Sequence, residues 1–142
     1  MNFGLHPLDL TSQTGSWVSF NCTLQCSASE THSLYWIVGR DLINTRRFNE
    51  LEVSEFEQNT GMDISLLNLV ECPLTGNLDG KYMIRQLQIR SDVQWDGTPV
   101  QCAAIRSSPE LLDHFSPYGV LSVESDSIGN NNIMNKPQCI FI

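Results

Sequence analysis

Along most of the chain, apolar and polar residues alternate at a spacing of two, in short runs separated by turn residues. In "SWVSFNCTL" the alternation begins at Trp17 or Val18, just after Gly15. In "SLYWIVG", Leu34, Trp36 and Val38 fall on one side, and Tyr35 and Ile37 on the other. "MDISLLNLVEC" is a further run, stopped at Cys72-Pro73. "YMIRQLQIR" alternates Ile84, Leu87 and Ile89 imperfectly with Arg85, Gln86 and Gln88. "TPVQCAAI" places Val100, Cys102 and Ala104 on one face, and "PYGVLSVE" supplies a last run. A period of two with β-branched and aromatic residues predicts strands. No segment of twelve or more residues carries a clean 3.6-residue stripe with caps. "SPELLDHF" reads as one short helical turn.

The punctuation agrees with the strands. "LTGNLDGK" has the glycines of a hairpin loop, and "WDGTP" is a tight turn. Pro99 stands near a strand start, where its missing N–H does least harm. Seven or so short strands at turn-spaced intervals predict an all-β fold, an antiparallel β-sandwich. The domain is expected over residues 1–124. Residues 125–142, rich in Ser, Asn and Gly, read as a flexible C-terminal tail.

Composition and charge narrow the function. The chain has 142 residues, enough for one core. Acidic residues outnumber basic ones 16 to 8, a formal charge of -8. A field of that sign repels phosphate backbones and anionic lipid, so nucleic acid is not an expected partner. The opening "MNFGLHPLDL" has neither the basic nor the apolar region of a secretory leader, so a leader is expected to be missing from this chain. Membrane association is expected only through an anchor that this chain lacks.

The five cysteines, Cys22, Cys26, Cys72, Cys102 and Cys139, show no C-x-x-C spacing and are accompanied by only three histidines. That disfavours a structural zinc site, which brings close ligand pairs. Disulfides are the better reading, and they imply an oxidising compartment. No metal and no cofactor are expected.

Cys22, Trp36 and Cys102, with Gly15 before them, "LQI" at Leu87–Ile89 and "WDGTPVQC" ahead of Cys102, resemble an immunoglobulin-superfamily domain of V-like set. The resemblance covers roughly residues 8–124. It implies an immunoglobulin-like antiparallel sandwich in which Cys22 bonds Cys102 across the sheets and Trp36 packs on the bond. Val100 stands where many members have tyrosine, and the last strand lacks Phe-Gly-x-Gly. Those departures exclude an antibody or T-cell-receptor variable domain. Residues 49–80 form an enlarged middle region, and Arg47–Phe48 lie too far from Leu87 for a simple V-type alignment.

The same topology would bring Cys26 and Cys72 to one end of the sandwich as a second bridge. Free thiols are the alternative. It would also set Tyr35 and Ile37 beside Gln101, Ala103 and Ile105 on an outward face. An apolar outward face is a contact site unless residues 40–60 cover it. The resemblance therefore implies non-catalytic recognition of another protein, homophilic or heterophilic. The setting would be an extracellular or cell-surface adhesion or receptor ectodomain, including a soluble or truncated form of one. The alternatives are an immune effector or lectin-like module binding through the loops Ser27–Ser33 and Arg106–Pro117, and a small secreted hydrolase on a β-scaffold.

Further chemistry is sparse. Asn21-Cys22-Thr23 is an N-glycosylation acceptor, with Asn21 expected to point outward. No G-x-S-x-G, H-E-x-x-H or phosphate-loop motif occurs, so no enzyme is expected. His114 reads as a solvated loop residue. Cys139 is left over, and "CIFI" at the terminus is a formal prenylation box that conflicts with disulfides.

Overall fold

A computed structural model describes residues 4–26, 32–44, 50–107 and 110–125. Cys139, the remainder of the tail and Arg47–Phe48 lie outside the described residues. The described chain runs β1 (Leu10–Gln13), β2 (Trp17–Gln25), β3 (His32–Val38), β4 (Asp41–Asn44), α1 (Glu50–Thr60), β5 (Ile64–Val70) and β6 (Tyr82–Arg90). It continues through a 3-10 turn (Val93–Trp95), β7 (Thr98–Ser107), β8 (Glu110–Phe115) and β9 (Gly119–Glu124).

The strands form two sheets, a β-sandwich. The larger sheet has the order β1-β9-β7-β3-β4, with β8 also paired to β7; the smaller has the order β2-β6-β5. The pairings are antiparallel except β1 with β9, which run parallel from Leu10 opposite Leu121 to Gln13 opposite Glu124.

The period of two puts Phe20, Cys22 and Leu24 of β2, Leu34, Trp36 and Val38 of β3, and Val100, Cys102 and Ala104 of β7 into one buried cluster between the sheets. Cys22 and Cys102 are bonded across that interior, their Cα atoms 6.6 Å apart. Trp36 is the direct cross-strand partner of Cys102 and is fully buried. Neighbours in register on one face lie about 5 Å apart, so the indole packs beside the bridge. Cys26 and Cys72 are also bonded, Cα atoms 5.4 Å apart. β2 and β5 both run antiparallel to β6 and hence parallel to each other, which brings the two strand ends together.

Three expectations are corrected. "SPELLDHF" is not a helical turn: its residues from Glu110 to Phe115 form β8, so His114 sits in a strand rather than a loop, although it is exposed. Pairing with β7 from Ala103 to Ser107 decided the matter, because a strand edge satisfies more backbone groups than one helical turn. A helix is present where none was expected. Among the side chains described in α1, Phe56 is the buried one and Val53 packs partly buried against the core, a thin stripe to read from the pattern. The end of α1 is nonetheless well specified. Gly61, at φ 79°, donates its N–H to Glu57 O, as glycine does when it closes a helix. Thr60 Oγ1 donates to Phe56 O at 2.7 Å and accepts from Met62 N at 3.1 Å. Glu57 Oε2 then accepts from Ile64 N at 3.0 Å, tying the helix to β5.

The third correction concerns β6. Its inward residues are Met83, Arg85, Leu87 and Ile89, while Ile84 faces out and is half-buried. Arg85 occupies a core position at 6% exposure, opposite Cys22. Its Nη1 donates to Val70 O at 3.0 Å, and its Nη2 pairs with Glu71 Oε1 at 2.6 Å. Buried charge is tolerated only when paired and hydrogen-bonded, and this cation reaches its carboxylate at the end of β5. The inward arginine is what made the alternation of this strand look imperfect.

Candidate functional site

The outward face of the larger sheet is built by register. Leu42 of β4 lies opposite Ile37 of β3, which lies opposite Gln101 of β7. One row further, Tyr35 lies opposite Ala103, which lies opposite Phe115 of β8. Directly opposed residues share a face, so Leu42, Ile37, Tyr35, Ala103 and Phe115 form one outward surface across four strands. Sheet exteriors facing water are normally polar, which makes this composition notable.

The surface is narrower than the sequence implied. Tyr35 and Ile37 are half-buried. Ala103 has 0% exposure, so it is not available as an anchor: a methyl group between Tyr35 and Phe115 is overshadowed by two larger neighbours. Gln101 is also buried, at 9%, because its Nε2 donates to Ser116 O at 2.6 Å. Ile105 pairs with Ser33 and Leu112, but its side chain lies outside the described residues.

In exchange the fold exposes apolar groups that sequence reasoning passed over. Leu42 is 50% exposed, Phe115 51% and Tyr118 62%. The signal for Leu42 was present in "DLIN", where Ile43 points inward and is fully buried. Phe115 was hidden by the helical reading of its segment.

Ser116 fixes the crossing from β8 to β9. It is buried, its Oγ accepts from Cys102 N at 2.9 Å and donates to Pro117 O at 3.0 Å, and its own N–H donates to Cys102 O at 2.8 Å. The edge of β7 thus passes from β8 to β9 without losing backbone partners, and Phe115 and Tyr118 are left on either side of the crossing. Asp96 Oδ1 accepts from Val123 N at 2.8 Å, which holds β9 from the turn before β7.

The expected loops differ in extent. Residues 27–31 of the first lie outside the described residues. The second, expected over Arg106–Pro117, is mostly strand: β7 continues to Ser107 and β8 begins at Glu110. Asn21 lies half-buried on β2, its Oδ1 accepting from Gln86 Nε2 at 2.9 Å. Thr23 of the same sequon is buried, and its Oγ1 accepts from Leu5 N at 2.7 Å.

Two clefts share Trp95 in their linings. One, of about 320 Å³, is lined by residues that include Phe56, Met62, Arg40, Asp41 and Asn59. The other, of about 180 Å³, is lined by Gly15, Gly61, Asp63, Arg90 and Ser91. Neither lining includes a histidine or a cysteine. Among the described residues no helix is long and apolar enough to cross a membrane.

In comparisons with known proteins, the chain matches no family model and no curated protein.

Proposed function

We propose that this chain is an immunoglobulin-like domain of V-like set that binds another protein, homophilic or heterophilic, through the outward face of its larger sheet. The V-like reading rests on β4 beside β3 and on the parallel pairing of β1 with β9, together with Trp36 against the Cys22–Cys102 bridge. The function is non-catalytic recognition. The setting is extracellular or at a cell surface, where two disulfides persist.

The observation that carries the reading is the apolar patch made by two adjacent rows, Leu42 with Ile37 and Tyr35 with Phe115, together with exposed Tyr118 after β8. Contiguous exposed apolar surface costs solubility and marks contact sites. Aromatic anchors on a rigid scaffold lose little conformational freedom on binding.

The test is association of the purified domain, with itself by sedimentation velocity over a concentration series and with cell surfaces as a fluorescent tetramer. Leu42→Lys and Ile37→Lys are expected to abolish whichever association the wild type shows, with circular dichroism unchanged. A wild type that stays monomeric and binds no cell surface, or variants that associate unchanged, would end the proposal.

A further inference from the structure

We propose that the Cys26–Cys72 bridge is a thiol-exchange site, opened by a dithiol reductant while Cys22–Cys102 stays closed. The two bridges sit in different surroundings. Cys22 and Cys102 are both fully buried between the sheets with Trp36 packed beside them. Reaching either sulfur requires the sheets to separate. Cys72 is only half-buried and lies at the rim of the core. It opens the connection from Glu71 to Lys81, in which every residue except Cys72 and Leu78 is exposed.

That connection buries little of its surface. Two of its hydrogen bonds are internal, Asp79 N to Asn77 Oδ1 and Lys81 N to Leu78 O. Its ties to the sandwich include the Cys26–Cys72 bridge, Cys26 N to Lys81 O at 3.0 Å and the Glu71–Arg85 ion pair. The strand before it, β5, is last in the order of the smaller sheet and loses register between Asn68 and Val70. A segment with few buried contacts opens locally at far lower free energy than the whole domain.

The exchange balances as a two-electron transfer. One thiolate of the reductant attacks Cys72 Sγ, forming a mixed disulfide and expelling the Cys26 thiolate, which takes a proton from water. The second thiol of the reductant, deprotonated, attacks its own sulfur in the mixed disulfide and releases the Cys72 thiolate, which is protonated in turn. The reductant leaves as a cyclic disulfide. The rate depends on access to the attacked sulfur, which favours Cys72 over the three fully buried cysteines. Opening frees the Glu71 end of β5 from β2, and with it the carboxylate that pairs with buried Arg85, whose Nε has no partner even in the closed state. The β3–β7 face is untouched, because its covalent tie is the other bridge. The bridge is therefore a redox latch on the β5–β6 connection alone, and it does not depend on the binding role proposed for the larger sheet.

The experiment uses the full oxidised chain with Cys139 blocked beforehand by N-ethylmaleimide. It is exposed to graded dithiothreitol, quenched in acid, alkylated with iodoacetamide and mapped by mass spectrometry. A single-bridge species, alkylated at Cys26 and Cys72 with Cys22–Cys102 intact, is expected to form at least about tenfold faster than the fully reduced chain. Hydrogen exchange on that species is expected to rise over residues 71–81 and stay unchanged over β3 and β7. Simultaneous loss of both bridges, or loss of Cys22–Cys102 first, would overturn the proposal. So would a single-bridge species that exchanges like the native protein over residues 71–81.

Discussion

Replacing both Cys22 and Cys102 with alanine removes the covalent tie between the sheets, and the size of the effect follows from their sequence separation of 80. In the chain-entropy account, freeing a loop of that length returns about 4.5 kcal/mol of conformational freedom to the unfolded chain at room temperature. The two sulfurs are fully buried, so truncation adds a small cavity beside Trp36, about 1 kcal/mol more. Domains of this size are stable by about 5–15 kcal/mol, so the loss takes a large share of the total. The Cys26→Ala/Cys72→Ala variant frees a 46-residue loop and loses about 4 kcal/mol by the same account. Urea unfolding, followed by tryptophan fluorescence and far-ultraviolet circular dichroism, measures both. With a slope of about 2 kcal/mol per molar, the midpoint of the first variant is expected to fall by about 2–3 M. A fall under about 0.5 M at unchanged slope, with the wild-type bridge verified by mass, would refute the argument that this tie limits the unfolded chain.

Four further outcomes follow from single substitutions. Arg85→Ala is expected to cost about 3 kcal/mol in the same unfolding assay, because Glu71 and the Val70 carbonyl lose their donor and a core void opens. Arg85→Met fills the void and is expected to cost under about 1 kcal/mol. Ser116→Ala leaves the buried Cys102 N–H without its acceptor and is expected to cost about 1–3 kcal/mol, read as a lowered melting temperature. Gly119→Ala would place a Cβ 2.6 Å from the Leu8 carbonyl oxygen and 2.7 Å from Leu8 C and N, all backbone atoms. It is expected to cost about 1–3 kcal/mol and to raise hydrogen exchange in residues 5–13, where the chain must move aside.

How far the pattern of residues could be read depended on whether neighbours in sequence or neighbours in space decided each outcome. In β2, β3 and β7 the two coincide. Leu34, Trp36 and Val38 alternate with Tyr35 and Ile37 because a strand has a period of two, and only one face of each sheet meets the other sheet. The turn residues between the runs carry the same local logic, as Gly15 does at φ 92°.

The rest was settled by contacts that no local window contains. Glu110–Phe115 became a strand because the edge of β7 was open to pair with it. Residues 50–60 became a helix although, among its described side chains, Phe56 and Val53 are the ones packed on the core. Arg85 took a core position because a carbonyl and a carboxylate waited at the end of β5. On the outward face, alternation placed Gln101 and Ala103 correctly by side, yet their accessibility was set by Ser116, Tyr35 and Phe115. Strand periodicity is a property of the backbone and survives any context. Burial is a property of what lies alongside, and it is defined only once the sheets have closed.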